Sequence, residues 1–540
     1  MAVKPEVIAL VVVAVVVLAA VFLLAGGGQP ATTQGSPTTT PAASATKTAT
    51  GQPSPSKTSA QQTQAATTTS PSPGQGQGAA ATSCKTWYVV HVLTRHPADI
   101  QEKAREAFLR SPLAKKYCIK DVVFVSLPAG FWEIQIKNKK ADVGWGGGPT
   151  LFDTLFLDNL LAPLKTKTAL EAAAQVPDTF AGMPMKRVKN GKIYWVAAAI
   201  ASFGFTVNTD VAKRLGFDVG KLRHWSDLAS DDLGLLLVKT GAPQVAIANP
   251  LMSTSNTRMY EIILQAYGWE NGWRNLTLMA ANSLIEQGSA AVRDDVINGR
   301  VLVGITIDFY GYTAEKVNPA CRYVLPQGET IVNGDPIAVT IGTRNQDAAE
   351  AFLAWVLTDG QAIWLDPNIN RLPANPNVFK MPPDKLAEIV GTTPQVMEQQ
   401  VKLLKAKYEQ AMSAKTLKFN DSLALETETP MQLYFVATLV NNHDLLVRAW
   451  TRLLKAYYIE HRISKEKFLE LKKKLTDLVT YKDPATGKMV KFTLKDAIRV
   501  NRLLQEALKK GNAQLRDEYV NAWSSAARAK YREVLDALGG

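Results

Sequence analysis

Val7 to Ala25 is an unbroken apolar run of 19 residues, and Gln29 to Ser83 after it is built almost wholly from Thr, Ser, Pro, Ala, Gly and Gln. Together they confine any packed body to the remaining 457 of the 540 residues. As a helix rising about 1.5 Å per residue the run is about 28 Å long, close to the ~30 Å hydrocarbon thickness of a bilayer. Lys4 precedes it, and no basic residue follows until Lys47. The positive-inside rule then leaves Lys4 in the cytoplasm and the body outside. The alternative is a cleaved secretory signal, although the apolar core exceeds the usual 7–15 residues and Gly-Gly-Gly is a weak cleavage site. Residues 1–28 are therefore read as a membrane anchor or signal segment, and either reading places the body outside the cytoplasm.

Residues 29–83 carry two charges, Lys47 and Lys57, and, Pro aside, no aromatic or aliphatic residue larger than Ala. Such a segment cannot bury enough surface to offset chain entropy and is expected to be a disordered stalk. Ser and Thr interspersed with Pro is the composition of O-glycosylated stalks. A flexible coil of that length has an r.m.s. reach of about 40 Å.

The remaining residues are too many for one core and imply two or three domains. The net charge is +13, and residues 463–540 hold 17 Lys and Arg against 10 Asp and Glu. Acidic residues are interleaved throughout that tail, so it reads as a solvated helical face, and no nucleic-acid partner is expected. Three cysteines stand at 84, 118 and 321 without Cys-x-x-Cys or a His cluster, so no metal and no cofactor is expected. Cys84 and Cys118 each precede an apolar strand. If those strands are parallel neighbours, both lie at one sheet end, which favours a Cys84–Cys118 disulfide with Cys321 free.

Strand-like segments at Trp87–Leu93, Val122–Leu127, Ala141–Trp145 and Val245–Ala248 alternate with helical ones, among them Pro97–Leu109, Thr150–Asn159 and Arg258–Tyr267. This alternation predicts a parallel sheet covered by helices, with ligands at the carboxyl ends of the strands. Lys192–Asn208 reads as a long apolar strand, and Val301–Ile307 as a strand running on into Asp308 to Tyr312. From Pro382 onward the chain reads as helical. The periodicity places helices at Val396–Met412, Pro430–Tyr458, Lys465–Thr480 and Leu494–Leu538, with a turn-rich break at Tyr481–Lys491.

Four segments carry candidate ligand contacts. Ser253, Thr254, Ser255, Asn256 and Thr257 open a helix, where free N–H groups and the helix dipole favour an anion; ordinary N-capping needs only one of them. Gly146, Gly147, Gly148, Pro149 and Thr150 permit close backbone approach and suit a helix start, but no Lys follows in phosphate-loop spacing. Thr94, Arg95 and His96 form a third strand-to-helix turn, where a structural ion pair for Arg95 is the competing reading. Asp308, Tyr310 and Tyr312 can hydrogen-bond a polyol, pair with a cation or pack as core, and strand alternation would set both tyrosines on one face. No His stands beside a Ser or Cys in a nucleophile motif. Glu426 and Glu428 lie two apart on a helix and point to different faces, which argues against a glycosidase pair. The chain is not expected to be an enzyme.

Phe203-Gly-Phe-Thr-Val-Asn-Thr-Asp-Val-Ala-Lys-Arg-Leu-Gly216, followed by Trp225-Ser-Asp-Leu228, resembles the crossover into the second lobe of extracellular solute-binding proteins of ABC importers. Ala246 to Thr257 resembles their second-lobe strand and Ser/Thr-rich helix start. Asn298-Gly-Arg-Val-Leu-Val-Gly-Ile305 resembles their returning strand, and Asp335-Pro-Ile-Ala-Val339 with the helix Ala348–Leu357 their return to the first lobe. The likeness covers about Thr86 to Pro376 and is closest to the iron- and phosphonate-binder branch of the type II periplasmic-binding-protein fold. It implies an α/β body with lobe 1 at 84–202 and 323–376, lobe 2 at 203–322, and a helical C-terminal extension at 377–540. It further implies a small-molecule solute held between the lobes and delivered to ABC permease subunits, with the body tethered to the membrane by its N-terminal helix. Two departures stand out. The adjacent tyrosine pair of the iron binders is replaced by Tyr310 and Tyr312 around Gly311, and the helical tail exceeds the usual closing helices. A membrane-anchored sensory or adhesion module of the same fold, or a surface hydrolase, are the alternatives.

Overall fold

The computed structural model describes residues 84–127 and 129–539; the apolar run and the stalk lie outside them, and so do the readings of anchor, signal and disorder made there. No helix among the described residues is long and apolar enough to cross a membrane.

The chain opens with strand Tyr88–Thr94 (β1), helix Ala98–Arg110 (α1), strands Ile119–Ser126 (β2) and Val143–Trp145 (β3), and helix Pro149–Leu157 (α2). Strand Lys192–Asn208 (β4) follows, then strand Val245–Ala248 (β5), helix Thr254–Tyr267 (α3), strand Ser283–Glu286 (β6) and helix Ser289–Ile297 (α4). Strand Val303–Ile307 (β7), helix Asp308–Val317 (α5), strand Cys321–Val324 (β8) and strand Val332–Thr340 (β9) follow, and the short strands Leu161–Ala162, Lys186–Lys189 and Leu372–Pro373 bring the main sheet to twelve. The sheet order is β6-β5-β7-β4-β9-β3-β1-β2, with β8 also paired to β4.

Local sequence explains these elements. β1 is Tyr-Val-Val-His-Val-Leu-Thr, rich in residues that suit a pleated, buried surface, and it pairs in parallel with β2 and β3. α1 buries Ile100, Ala104, Ala107 and Phe108, which recur at the three- and four-residue spacing of one helix face. Phe108 meets Phe352 edge-on in the first core, beside Trp145, Trp355 and Trp364.

β4 is the element that both cores share. Its 17 residues pair antiparallel with β9 from Val196 to Ser202, and with β7 from Phe203 to Val207. At about 3.3 Å per residue it spans about 55 Å. One end lies in the Trp145 core and the other in a core of Phe205, Trp225, Met259 and Trp273.

Eight further helices follow: Gln346–Leu357 (α6), Pro383–Val390 (α7), Pro394–Met412 (α8), Asp421–Phe435 (α9), His443–Leu454 (α10), Lys465–Thr476 (α11), Leu494–Lys509 (α12) and Gln514–Asp536 (α13). They divide between the two cores. Leu386, Met397 and Leu404 of α7 and α8 join the first core. α9 to α13 join the second: Tyr434 stacks on Phe492 at 3.9 Å and meets Trp273 edge-on, and Trp450 Nε1 donates to Asn282 Oδ1 at 2.9 Å. The link between them passes β4's neighbours, where Leu417 N–H donates to the Thr330 carbonyl at 2.7 Å.

Several elements differ from the periodicity reading. Asp308 to Tyr312 do not extend a strand: they form the first turn of α5, where the Asp308 carboxylate accepts the Phe309 N–H at 2.8 Å. Pro430–Tyr458 is not one helix, because the chain turns at Asn441-Asn442 between widened turns at Val436–Val440 and Lys455–Ile459. Leu494–Leu538 divides at Gly511, whose φ of 75° is left-handed and closes α12. The break at 481–491 is a hairpin, Thr480–Lys482 against Met489–Lys491.

Cys84 and Cys118 are bonded, 34 residues apart in sequence, and tie the entry of β1 to the entry of β2; Cys321 is free and buried. Closing a loop of this length restricts the unfolded chain by about 3–4 kcal/mol in the chain-entropy account. The double variant Cys84→Ser with Cys118→Ser should therefore lose about that much stability in denaturant titrations of oxidised protein. An unchanged unfolding midpoint would show that the bond adds no stability.

Candidate functional site

Between the two cores lies a cavity of about 360 Å³, floored by β4 and β9. On the side of the first core it is lined by Arg95, His96, Gly147, Gly148, Thr150 and Leu151, and on the side of the second by Ser253, Thr254, Ser255, Thr257, Arg258 and Ser289. Phe309, Tyr310, Asn333, Asp335 and Arg371 line its hinge side, and Glu428 and Gln432 of α9 close it from the C-terminal region. That volume is in the range of small-molecule sites.

At the second-lobe wall two helix starts meet. Ser253 caps α3 by accepting the Asn256 N–H at 3.1 Å, while α4 begins after Gly288, which offers no capping side chain. The hydroxyls of Ser253, Ser255 and Ser289 form one cluster: Ser255 Oγ is 2.7 Å from Ser289 Oγ and 3.3 Å from Ser253 Oγ, and Ser253 also contacts Ser289. Hydroxyl hydrogens rotate to suit an acceptor, and the first N–H groups of α4 add fixed donors. Arg95 lines the same cavity. Its Nη1 donates to the Leu127 carbonyl at 3.3 Å, burial lowers its pKa, and among the described residues no carboxylate pairs with it. These groups suit an oxyanion.

The hinge side is a buried ionic network. Asp335 Oδ1 accepts from the N–H groups of Gly147 and Gly148, both at 2.9 Å, and Oδ2 accepts from Arg371 Nη2 at 2.6 Å. Burial opposes its ionisation, but Arg371 and the backbone donors outweigh that, and its pKa lies below the usual carboxylate value. A register shift between Asp335 and Pro336 sets this side chain in place: proline has no N–H for the ladder, so β9 bulges there. Arg371 Nη1 is 3.2 Å from His96 Nδ1. Since guanidinium can only donate, Nδ1 accepts and Nε2 carries the proton. That Nε2–H is buried with no acceptor, as is one amide N–H₂ donor group, Asn333 Nδ2.

The two walls touch across the cavity through Arg258, whose Nη2 donates to the Thr150 hydroxyl. Arg258 Nη1 is 3.2 Å from Glu261 Oε2 and 3.6 Å from Asp421 Oδ1, and its guanidinium stacks over Phe419 at 4.9 Å. α9 supplies Asp421, so the C-terminal region helps to hold the residue that bridges the lobes.

Of the sixteen residues singled out in those four segments, eleven line this cavity and five do not. Gly146 donates its N–H to the Pro336 carbonyl at 2.8 Å. Thr94 is buried and donates to the Trp145 carbonyl at 2.8 Å. Asn256 Oδ1 accepts the Ala248 N–H at 2.9 Å and holds α3 to β5. Asp308 accepts from Ser202 N–H at 2.8 Å and Ser202 Oγ at 3.1 Å, fastening α5 to β4; burial pushes its pKa up to about 6. Tyr312 packs edge-on against Tyr323, with Lys407 over its ring at 4.8 Å. Because α5 is a helix, Tyr310 and Tyr312 are about 200° apart around its axis, and only Tyr310 reaches the cavity. Thr257 lines the wall, but its hydroxyl is spent on the Pro250 carbonyl at 2.8 Å.

Ser289, Arg258, Glu261, Asn333, Asp335, Arg371, Glu428 and Gln432 were missed. Gly288-Ser289 had a readable helix-start signal. Glu428 was weighed only as a partner for Glu426, which points away to Arg502 at 3.8 Å. Arg258 and Glu261 follow the serines on α3 itself, while Asn333, Asp335, Arg371 and Gln432 converge from distant parts of the chain and leave no local pattern.

Residues 133–390 match the family model described as bacterial extracellular solute-binding protein. Among curated proteins, the phosphoglycerate transport regulatory protein PgtC of Salmonella typhimurium is 30% identical over 185 residues, covering 34% of this chain and 43% of the relative. The chain thus spans less than half the length of that relative. Among solved structures, the periplasmic binding protein AfuA from Actinobacillus pleuropneumoniae, with exogenous fructose-6-phosphate bound, has 18% identity and a TM-score of 0.44, covering 59% of this chain and 98% of its own. The ferric binding protein from Campylobacter jejuni has 16% identity and a TM-score of 0.43, covering 60% of this chain and 99% of its own. The family match over residues 133–390 agrees with the motif resemblance.

Burial lowers the His96 pKa from 6.5 to about 3, so the folded protein keeps it neutral where the unfolded chain protonates. The unfolded state then binds more protons between those values, and stability falls as pH drops below about 6.5. Wild type should lose on the order of 2–3 kcal/mol more than His96→Gln between pH 7 and pH 4.5, at 1.36 kcal/mol per unit. Asp308 titrates in the opposite sense but is common to both proteins. Parallel pH profiles in urea titrations would contradict a neutral, buried His96.

Proposed function

We propose that this chain is the solute-capturing component of an ABC importer. It holds an anionic small molecule between its two lobes and hands it to permease subunits in the membrane. The observation that carries the reading is the convergence of Ser253, Ser255 and Ser289 at two helix starts, in one cavity with Arg95 from the other lobe. The name of the relative from Salmonella typhimurium, which concerns phosphoglycerate transport, points to the same class of solute. Val7–Ala25 tethers the body outside the cell and the stalk gives it reach to a neighbouring permease. The Thr150–Arg258 contact closes the lobes over the cavity. A solute that touches both walls binds this closed arrangement better than an open one and shifts the population toward it.

Ser255 and Ser289 are the clean test residues, because the caps of their helices are Ser253 and Gly288. A hydrogen bond to a charged group contributes about 1.5–3 kcal/mol. The co-purifying solute is first identified by mass spectrometry and then titrated calorimetrically. Ser255→Ala with Ser289→Ala should weaken its binding at least tenfold with little change in apo melting temperature. Unchanged affinity would place the anion elsewhere.

A further inference from the structure

The far part of the same wall has the opposite chemistry. Glu261 stands two turns along α3 from Ser253 and is only 3% exposed, yet among the described residues no N–H or hydroxyl donates to either carboxylate oxygen, and its side-chain hydrogen-bonding neighbour is the carboxyl of Glu428. Its single close cation is Arg258, which is shared with Asp421 and already donates to Thr150. Glu428 of α9 lines the cavity beside it. Three carboxylates therefore surround one guanidinium, and the region is short of positive charge and of donors. Burial pushes the pKa of Glu261 and of Glu428 upward against the pull of Arg258, as expected where one guanidinium serves several carboxylates.

We propose that Glu261 and Glu428 form a cation subsite, so that the cavity selects a solute with an anionic group at the serine cluster and an ammonium group at the acidic end. This rests on the anion reading of the serine cluster. Ser255 and Glu261 are six residues apart on one helix, which separates the two ends by about 9 Å along its axis. The second carboxylate comes from the C-terminal region, and a chain that ended at α8 would lack it. α9 is thereby a specificity element: it converts a general anion cleft into one for bifunctional solutes.

The probes are aminoalkyl phosphates with two to six methylenes, each compared with the alkyl phosphate of equal length, titrated into the full chain by calorimetry. For the best length, the amino compound should bind at least tenfold more tightly than its alkyl counterpart. Glu428→Gln, and Glu261→Gln if it folds by its melting curve, should collapse that ratio to within threefold of one. If alkyl and amino phosphates bind equally and Ser255→Ala with Ser289→Ala weakens both, the cation subsite is refuted while the anion site stands. A large ratio that survives Glu428→Gln refutes the role of α9. If no phosphate binds, or binding ignores the serines, the anion reading fails and this inference with it.

Discussion

The antiparallel pairing of β4 with two different partners governs the rest of the molecule. Its first half is laddered to β9 and its second half to β7, so a single extended segment belongs to both cores. An extended chain with two satisfied edges is stiff, and its backbone polar groups have no alternative partners once buried. The cavity lies where the strand passes from one core to the other. Ala201 and Phe203 of β4 line its floor, and Ser202 between them holds Asp308 at the start of α5. The two cores are therefore positioned by a shared strand rather than by the contacts at the cavity's rim.

The same geometry explains why polar groups gather there. Strands of both lobes end toward the cavity, and each is followed by a helix whose first N–H groups lack partners within the helix. α2, α3, α4 and α5 all begin at its edge. Gly147 and Gly148, at φ of 115° and 86°, let the backbone turn both N–H groups onto Asp335. Asp335, Arg371 and His96 then support one another in a site where any one alone would be costly to bury. What is left over, His96 Nε2–H, Asn333 Nδ2 and the Glu261 oxygens, is buried, unused hydrogen-bonding capacity in residues that line the cavity.

The C-terminal helices are part of this system. α7 and α8 complete the first core, and α9 to α13 complete the second through Tyr434, Trp450 and Trp523. α9 brings Asp421 to Arg258 and Glu428 to the cavity, so the charge at one end of the site is set by residues more than 150 positions from α3 in the chain.

What the sequence determined by itself was local. The apolar runs of β1, β5 and β4, the helix start at Ser253 and the Gly-rich turn before α2 are each fixed by neighbours within a turn or a pleat, and each was readable. Short apolar-aromatic stretches were not: Ile307 to Tyr312 fits either period, and the structure makes Asp308, held by Ser202 N–H and Oγ, the first residue of a helix. Tertiary structure alone decided which readable residues share a site. Ser255 and Ser289 meet because β5 and β6 pair, Asp335 reaches Gly147 and Gly148 because β9 bulges at Pro336, and Glu428 reaches the cavity because α9 packs on the second core. These meetings depend on burying apolar faces that lie far apart in the chain, and no pattern within a single segment records where those faces will come to rest.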